Sequence, residues 1–233
     1  MRRSGIDIMD QKFVPSLMGM NLMNVQQQIE QLNDHASMYH LDIIDWHFAK
    51  NMFISPMFIE QLRPITKAEL DVHLMIENMP FDIIEAVVDA GADIVSLHAE
   101  DIQRNVFKYI SYLQSRGKKV GIVINPSVPL DIMRYYIDQV DLITFMGVTP
   151  GFAKQALIPC VLDKIREAHE LRAKHGYKFK TMIDGGCHQG TMKQVAQTNV
   201  DYIIMGNTCL FSLDNDMHKA WQVMKDNFIA WTK

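Results

Sequence analysis

Tyr39-His40-Leu41-Asp42-Ile43-Ile44-Asp45-Trp46-His47-Phe48 sets an imidazole and a carboxylate two residues apart inside an otherwise apolar run. Side chains on a strand alternate between its faces, so His40 and Asp42 point one way while Leu41 and Ile43 point the other. The pairing recurs in Asp71-Val72-His73-Leu74-Met75, and a third apolar run, Lys180-Thr181-Met182-Ile183-Asp184-Gly185-Gly186, ends on a carboxylate. Three strands would bring His or Asp to one region of space, and such a collection reads as a metal site.

Working outward, short apolar or β-branched runs alternate with longer helical patterns along the chain. Strands are expected over 12–18, 39–44, 70–74, 94–98, 119–124, 142–148, 180–183 and 202–205. Helices are expected over 22–33, 56–62, 79–90, 103–115, 129–137, 158–175, 190–197 and 215–231, where apolar residues return every three or four positions. Strand–helix alternation of this kind means parallel strands with crossover helices. Eight units in 233 residues fit a closed (β/α)8 TIM barrel in a single domain, since such barrels commonly occupy about 200 to 250 residues. Gly91, Gly117 and Gly176 follow helices where a left-handed cap is wanted. Residues 1–11 read as a short N-terminal extension; the stretch 6–15, which leads from it into the first strand, mimics the metal motif but carries no histidine at the right place.

Charge and composition exclude several classes. A net charge of −4 with interspersed signs gives no basic footprint for nucleic acid, and the apolar runs are too short to span a membrane. The start at Met1-Arg2-Arg3 lacks the apolar run of a secretory signal. Cys160, Cys187 and Cys209 form neither a CxxC pair nor a disulfide framework, so a cytoplasmic location is expected.

Barrel enzymes carry their chemistry at the carboxyl ends of the strands. His40, Asp42, His73 and Asp184 all fall in the later part or at the end of their expected strands. A single strand-end Asp is more often a turn former; four such groups, two of them His, favour function. His98 also ends a strand and reads as a supporting or structural group. His35, His169, His175, His188 and His218 read as solvated; Met18, Met20, Met75 and Met146 are candidates to line the pocket, with core packing as the default reading for a common gap filler. Glycine-rich turns close the last three strands at Gly147-Val148-Thr149-Pro150-Gly151-Phe152-Ala153, Asp184-Gly185-Gly186 and Gly206-Asn207-Thr208. Glycine lets backbone amides approach a ligand, which is how barrels hold phosphate. A phosphorylated substrate is therefore expected.

These residues resemble the ribulose-phosphate 3-epimerase family in order and along essentially the whole chain. The resemblance rests on Pro15-Ser16-Leu17-Met18, the His40 to Asn51 segment against HxDxMDGHFVPN, Asp71 to Met75 against DxHLM, the Thr149 to Gln155 loop, the DGG at Asp184 to Gly186 and the turn at Gly206 to Thr208. Ile44 stands where that pattern has methionine, Trp46 where it has glycine, Ala49 and Lys50 where it has Val-Pro, and Lys154 where glycine is usual. The resemblance implies one divalent metal ion (zinc, iron, cobalt or manganese) held by His40, Asp42, His73 and Asp184. It implies Asp42 and Asp184 as the acid and base of a 3-epimerisation through a cis-enediolate. It also implies a sugar-phosphate substrate gripped by Gly151, Phe152, Ala153, Lys154, Gly185, Gly186, Gly206 and Asn207, with Ser16 and His73 on the sugar, and a homo-oligomer.

Pro150 to Ala153, Cys187 and Leu210-Phe211 look more like the D-allulose-6-phosphate 3-epimerase branch, so allulose 6-phosphate is the expected substrate, with ribulose 5-phosphate as the alternative. Decarboxylases and aldolases on related barrels resemble a DxKxxD motif, and Asp42-Ile43-Ile44-Asp45 has no lysine. A silent sugar-phosphate-binding barrel is the rival of a different class, and turnover of a ketose phosphate separates the two.

Overall fold

A computed structural model describes residues 9–233. The expected extension falls mostly on residues 1–8, outside the described residues. Its last part forms a 3-10 turn, Asp10–Lys12, in which the Asp10 carboxylate accepts from Trp221 Nε1 at 3.0 Å and pairs with Lys225 at 2.8 Å.

Eight parallel strands follow: β1 (Phe13–Pro15), β2 (Met38–Ile44), β3 (Glu69–Met75), β4 (Ile94–His98), β5 (Lys119–Ile124), β6 (Leu142–Met146), β7 (Lys180–Asp184) and β8 (Tyr202–Met205). From β2 to β8 each strand pairs with the next in sequence, and β8 pairs with β1. The seam between β1 and β2 is closed by one parallel bridge, Ser16 to His40, which makes the sheet a nearly closed barrel. Around it lie α1 (Val25–Leu32), α2 (Pro56–Leu62), α3 (Phe81–Ala90), α4 (Ala99–Ile102), α5 (Val106–Ser115), α6 (Cys160–His175), α7 (Met192–Ala196) and α8 (Met217–Thr232).

Alternation divides the strands between two cores. Leu41, Ile43, Val72, Leu74, Val95, Leu97, Ile122, Phe145 and Ile203 pack outward against the helices. The opposite faces fill the barrel, and an apolar plug of Val14, Met38, Ile94, Leu142, Met182 and Ile204 closes its amino end. Above the plug the interior turns polar, with His40, Asp71, Ser96 and Thr144 all fully buried. Gly121 is required at this level, because a Cβ there would lie 2.1 Å from Ser96 Oγ.

Several expected elements come out differently. β1 stops at Pro15, and Ser16 then caps a 3-10 turn over Leu17–Gly19. No α-helix forms over 129–137, where only 3-10 turns occur, Leu130–Met133 and Ile137–Gln139. Immediately before this segment the Lys164 ammonium takes the carbonyls of Asn125, Pro126 and Val128. By contrast Gly91, Gly117 and Gly176 adopt φ of 110°, 66° and 70°, the left-handed caps expected of them.

Candidate active site

β2 and β3 pair with His40 opposite Asp71 and Asp42 opposite His73. That register stacks four inward-facing polar groups in two levels, and β7 brings Asp184 to the upper one. One ligand atom from each of His40, Asp42, His73 and Asp184 lies within 4.8 Å of all the others. Nε2 of His40 is 3.2 Å from Asp42 Oδ1 and 3.7 Å from Asp184 Oδ2; Nδ1 of His73 is 3.1 Å and 3.9 Å from the same two atoms.

Two nitrogens and two carboxylates converging on one point fit a divalent ion of the first transition row, and the surroundings fit as well. His40 turns its other nitrogen, Nδ1, to Asp71 Oδ2 at 2.7 Å, and Asp71 Oδ1 accepts from Ser96 at 2.5 Å. A carboxylate behind an imidazole fixes its tautomer with Nε2 free for a metal. The sequence offered Asp71 only as a member of a recurring motif; its part in holding His40 depends on strand register.

The two catalytic candidates sit in opposed electrostatic settings. Burial pushes the Asp42 carboxyl up, but the imidazoles of His40 and His73 together outweigh it and hold Asp42 well below the carboxylate range. Burial raises Asp184 above that range, and Asp42 adds to the rise against the pull of His40. For His40, burial disfavours charge, yet Asp42 and Asp71 hold its proton well above histidine's usual range. Burial and the neighbouring His73 keep His98 neutral.

The pocket over this cluster encloses about 790 Å³ to its open mouth. Its walls include Ser16, Asp42, Asp184, Gly151, Phe152, Ala153, Lys154, Gly185, Gly186, Gly206 and Asn207. Ser16 Oγ donates to Asp42 Oδ2 at 3.3 Å. His40 and His73 are fully buried below the pocket floor. Met18, Met75 and Met146 line the pocket while Met20 packs in the core, so three of the four methionines read as packing face the cavity instead. Gln155, Cys187 and Thr208, each part of a sequence motif but not expected as a site residue, also line it.

The glycine turns interlock. A Cβ on Gly147 would lie 2.2 Å from the Gly185 carbonyl oxygen, and one on Gly186 would strike Leu157 at 2.9 Å, so the loops after β6 and β7 meet backbone to backbone. Asn51 Nδ2 donates to the Gly151 carbonyl at 2.9 Å, tying the β2 loop to the β6 loop. Lys50 sets its ammonium 5.7 Å from the centroid of Trp46, so these two unusual residues partner each other at the rim. Lys154 holds φ of 64°, a left-handed backbone unusual for lysine.

Two of the histidines expected to be solvated are not. His35 stacks on Trp221 and shares a 2.9 Å hydrogen bond with His218, and His169 reaches Thr181 at 2.9 Å. Both are half-buried, His35 in the turn after α1 and His169 on α6.

Residues 12–210 match the model of the ribulose-phosphate 3-epimerase family. The chain belongs to the ribulose-phosphate 3-epimerase family. A relative from Synechocystis sp. named ribulose-phosphate 3-epimerase is 35% identical over 195 residues, covering 83% of this chain and 84% of the relative. Another of that name from Bacillus subtilis is 34% identical over 198 residues, covering 84% and 90%. Among solved structures, a mutant tryptophan synthase alpha-subunit from Pyrococcus furiosus superposes with a TM-score of 0.62 at 12% identity over 92% of this chain and 94% of that one, a likeness of fold alone. The family consists of isomerases that epimerise carbohydrate phosphates, and this chain is an isomerase of that class. No helix among the described residues is long and apolar enough to cross a membrane.

Proposed function

We propose that the protein interconverts D-ribulose 5-phosphate and D-xylulose 5-phosphate by epimerisation at C3. The observation that carries this reading is the convergence of two carboxylates, Asp42 from β2 and Asp184 from β7, at the floor of one pocket, where the buried surroundings hold Asp42 below the usual carboxylate range and push Asp184 above it. Inverting a carbon beside a ketone requires a base to remove its hydrogen from one face and an acid to return a proton on the other. Asp42 takes the C3 proton, Asp184 supplies one to the enediolate, and the reverse direction exchanges their roles. The pair therefore finishes each turnover with its proton on the other member. His40, Asp42, His73 and Asp184 would hold a divalent metal, which when bound supplies Lewis-acid polarisation of the substrate oxygens. Ser16, hydrogen-bonded to Asp42, orients that carboxylate toward the sugar.

The phosphate is assigned to the turns at Gly151 to Lys154, Gly185 to Gly186 and Gly206 to Asn207. A Cβ on Gly206 would meet open space, so packing does not demand glycine there and the freed volume lies on the pocket side. The pocket is open at its mouth, so its volume does not choose between a pentulose and a hexulose phosphate. The relatives from Synechocystis and Bacillus carry ribulose phosphate in their names, and nothing in the comparisons singles out the allulose branch. The expected preference for allulose 6-phosphate thus gives way to its alternative.

The test is kcat/KM on both ketose phosphates in deuterated water. Ribulose 5-phosphate should be the better substrate, and its product should carry deuterium at C3. A higher kcat/KM for allulose 6-phosphate reverses the choice of sugar, and turnover without label removes the enediolate route.

A further inference from the structure

Beside the four converging ligands lies a fifth buried polar group that the chemistry above leaves unused. His98 ends β4, is fully buried, and sets its Nε2 2.9 Å from Nε2 of His73. Phe48 covers the ring, with centroids 4.8 Å apart. On the far side, His98 Nδ1 has no hydrogen-bond partner and faces Glu100 Oε1 at 3.9 Å. Glu100 is anchored through that same oxygen by Asn125 Nδ2, while its Oε2 is buried without a partner.

Counting protons along this line leaves one arrangement that permits metal binding. If His73 gives the lone pair of Nδ1 to a metal, a neutral His73 must carry its proton on Nε2. Only one proton fits between two nitrogens 2.9 Å apart, so His98 Nε2 must then be bare and accept it. A neutral His98 with a bare Nε2 carries its own proton on Nδ1. That nitrogen has no hydrogen-bond partner and lies 3.9 Å from Glu100 Oε1, the carboxylate oxygen that also accepts from Asn125. In the opposite arrangement, His98 donates from Nε2, His73 holds its proton on Nδ1 against Asp42, and His73 is lost as a ligand.

We infer that His98 and Glu100 are positioning residues for the metal centre: Glu100 selects the Nδ1–H tautomer of His98, and His98 thereby holds His73 with Nδ1 open to the metal. The inference rests on the metal reading of the site proposed above. His40 is held by a carboxylate directly, through Asp71, whereas His73 is held by a carboxylate acting through a second imidazole. A histidine buried only for packing would need no defined tautomer.

Long-range 1H–15N correlation spectra of the imidazoles in the wild-type protein, before and after one equivalent of Zn2+, read the tautomers without any substitution. The zinc-loaded protein should show His73 coordinated through Nδ1 and protonated on Nε2, with His98 protonated on Nδ1 and bare on Nε2. His98 protonated on Nε2 in the loaded protein overturns the inference. Zinc that does not bind the wild type overturns the metal reading and this inference with it. Chelator competition gives a second readout. His98→Leu should weaken zinc binding about 10- to 100-fold, the usual cost of losing a partner behind a ligand, and His98→Gln, which keeps an acceptor oxygen, should recover most of it. Wild-type zinc affinity in a folded His98→Leu protein contradicts the assignment.

Discussion

His40 donates from Nδ1 to Asp71 Oδ2 at 2.7 Å, with both side chains wholly buried one level below the pocket floor. The contact leaves His40 a single nitrogen, Nε2, to offer upward. Asp71→Asn keeps the shape but loses the charge that orients the ring. Zinc or cobalt affinity, measured by chelator competition, should fall about 10- to 100-fold. An unchanged affinity would show that packing alone aligns His40.

Asp184→Asn removes the carboxyl whose pKa burial raises, the group assigned as the acid. A positioned acid–base group contributes about 10²- to 10⁴-fold to rate, so kcat should fall by that order with a much smaller change in KM. Metal content measured on the same sample separates the loss of a proton donor from the loss of a ligand. A variant that retains both metal and near-normal kcat would assign the acid elsewhere.

Lys154 lies on the pocket wall in a left-handed conformation that glycine adopts without strain. Lys154→Gly should leave thermal stability equal or slightly higher while raising KM for the phosphorylated ketose several-fold. The increase should shrink at high ionic strength, where the wild-type ammonium is screened. A KM that does not move would remove the lysine side chain from the phosphate grip.

At the amino end of the barrel, Asp201 accepts from Arg172, Lys180 and the Thr181 N–H. Burial opposes its charge, but these partners hold its pKa at about 2, against an ordinary 3.8. A depressed carboxyl contributes stability that is present above the unfolded value and is lost as pH falls through the folded one. Asp201→Asn should therefore cost about 2 kcal/mol near neutrality. In chemical denaturation, the difference from wild type should close between about pH 4 and pH 2. A gap that persists at pH 2 would trace the loss to shape rather than charge.

Strand alternation made much of this legible. β4, β5 and β8 have the bounds that their apolar runs imply, because their ends coincide with turns or charged residues. The 129–137 segment misled because its apolar spacing is helical while the chain there breaks into two short 3-10 turns, just after the carbonyls of Asn125, Pro126 and Val128 that Lys164 holds from α6. Within the site, the individual His and Asp residues stood out through their faces. The pairing of His40 with Asp71 and of His73 with His98 depends on the stagger between neighbouring strands, which no single strand encodes. Cys187 and Thr208 reach the pocket through the turns that carry them, so their motifs were visible while their place on the pocket wall was not.

The barrel seam carries a consequence for assembly. β1 is held by a three-residue ladder to β8, and Ser16 meets both Met205 across that ladder and His40 across the seam. The floor of the pocket is thus complete only when the first strand has been captured by the last. During synthesis, the His40–Asp42–His73 half of the centre can form as soon as β2 and β3 have emerged, but Asp184 and the neighbour that fixes Ser16 arrive some hundred residues later. Metal retention and catalytic competence should accordingly appear as the final event of folding, coincident with closure, and a nascent chain halted before Met205 should have neither.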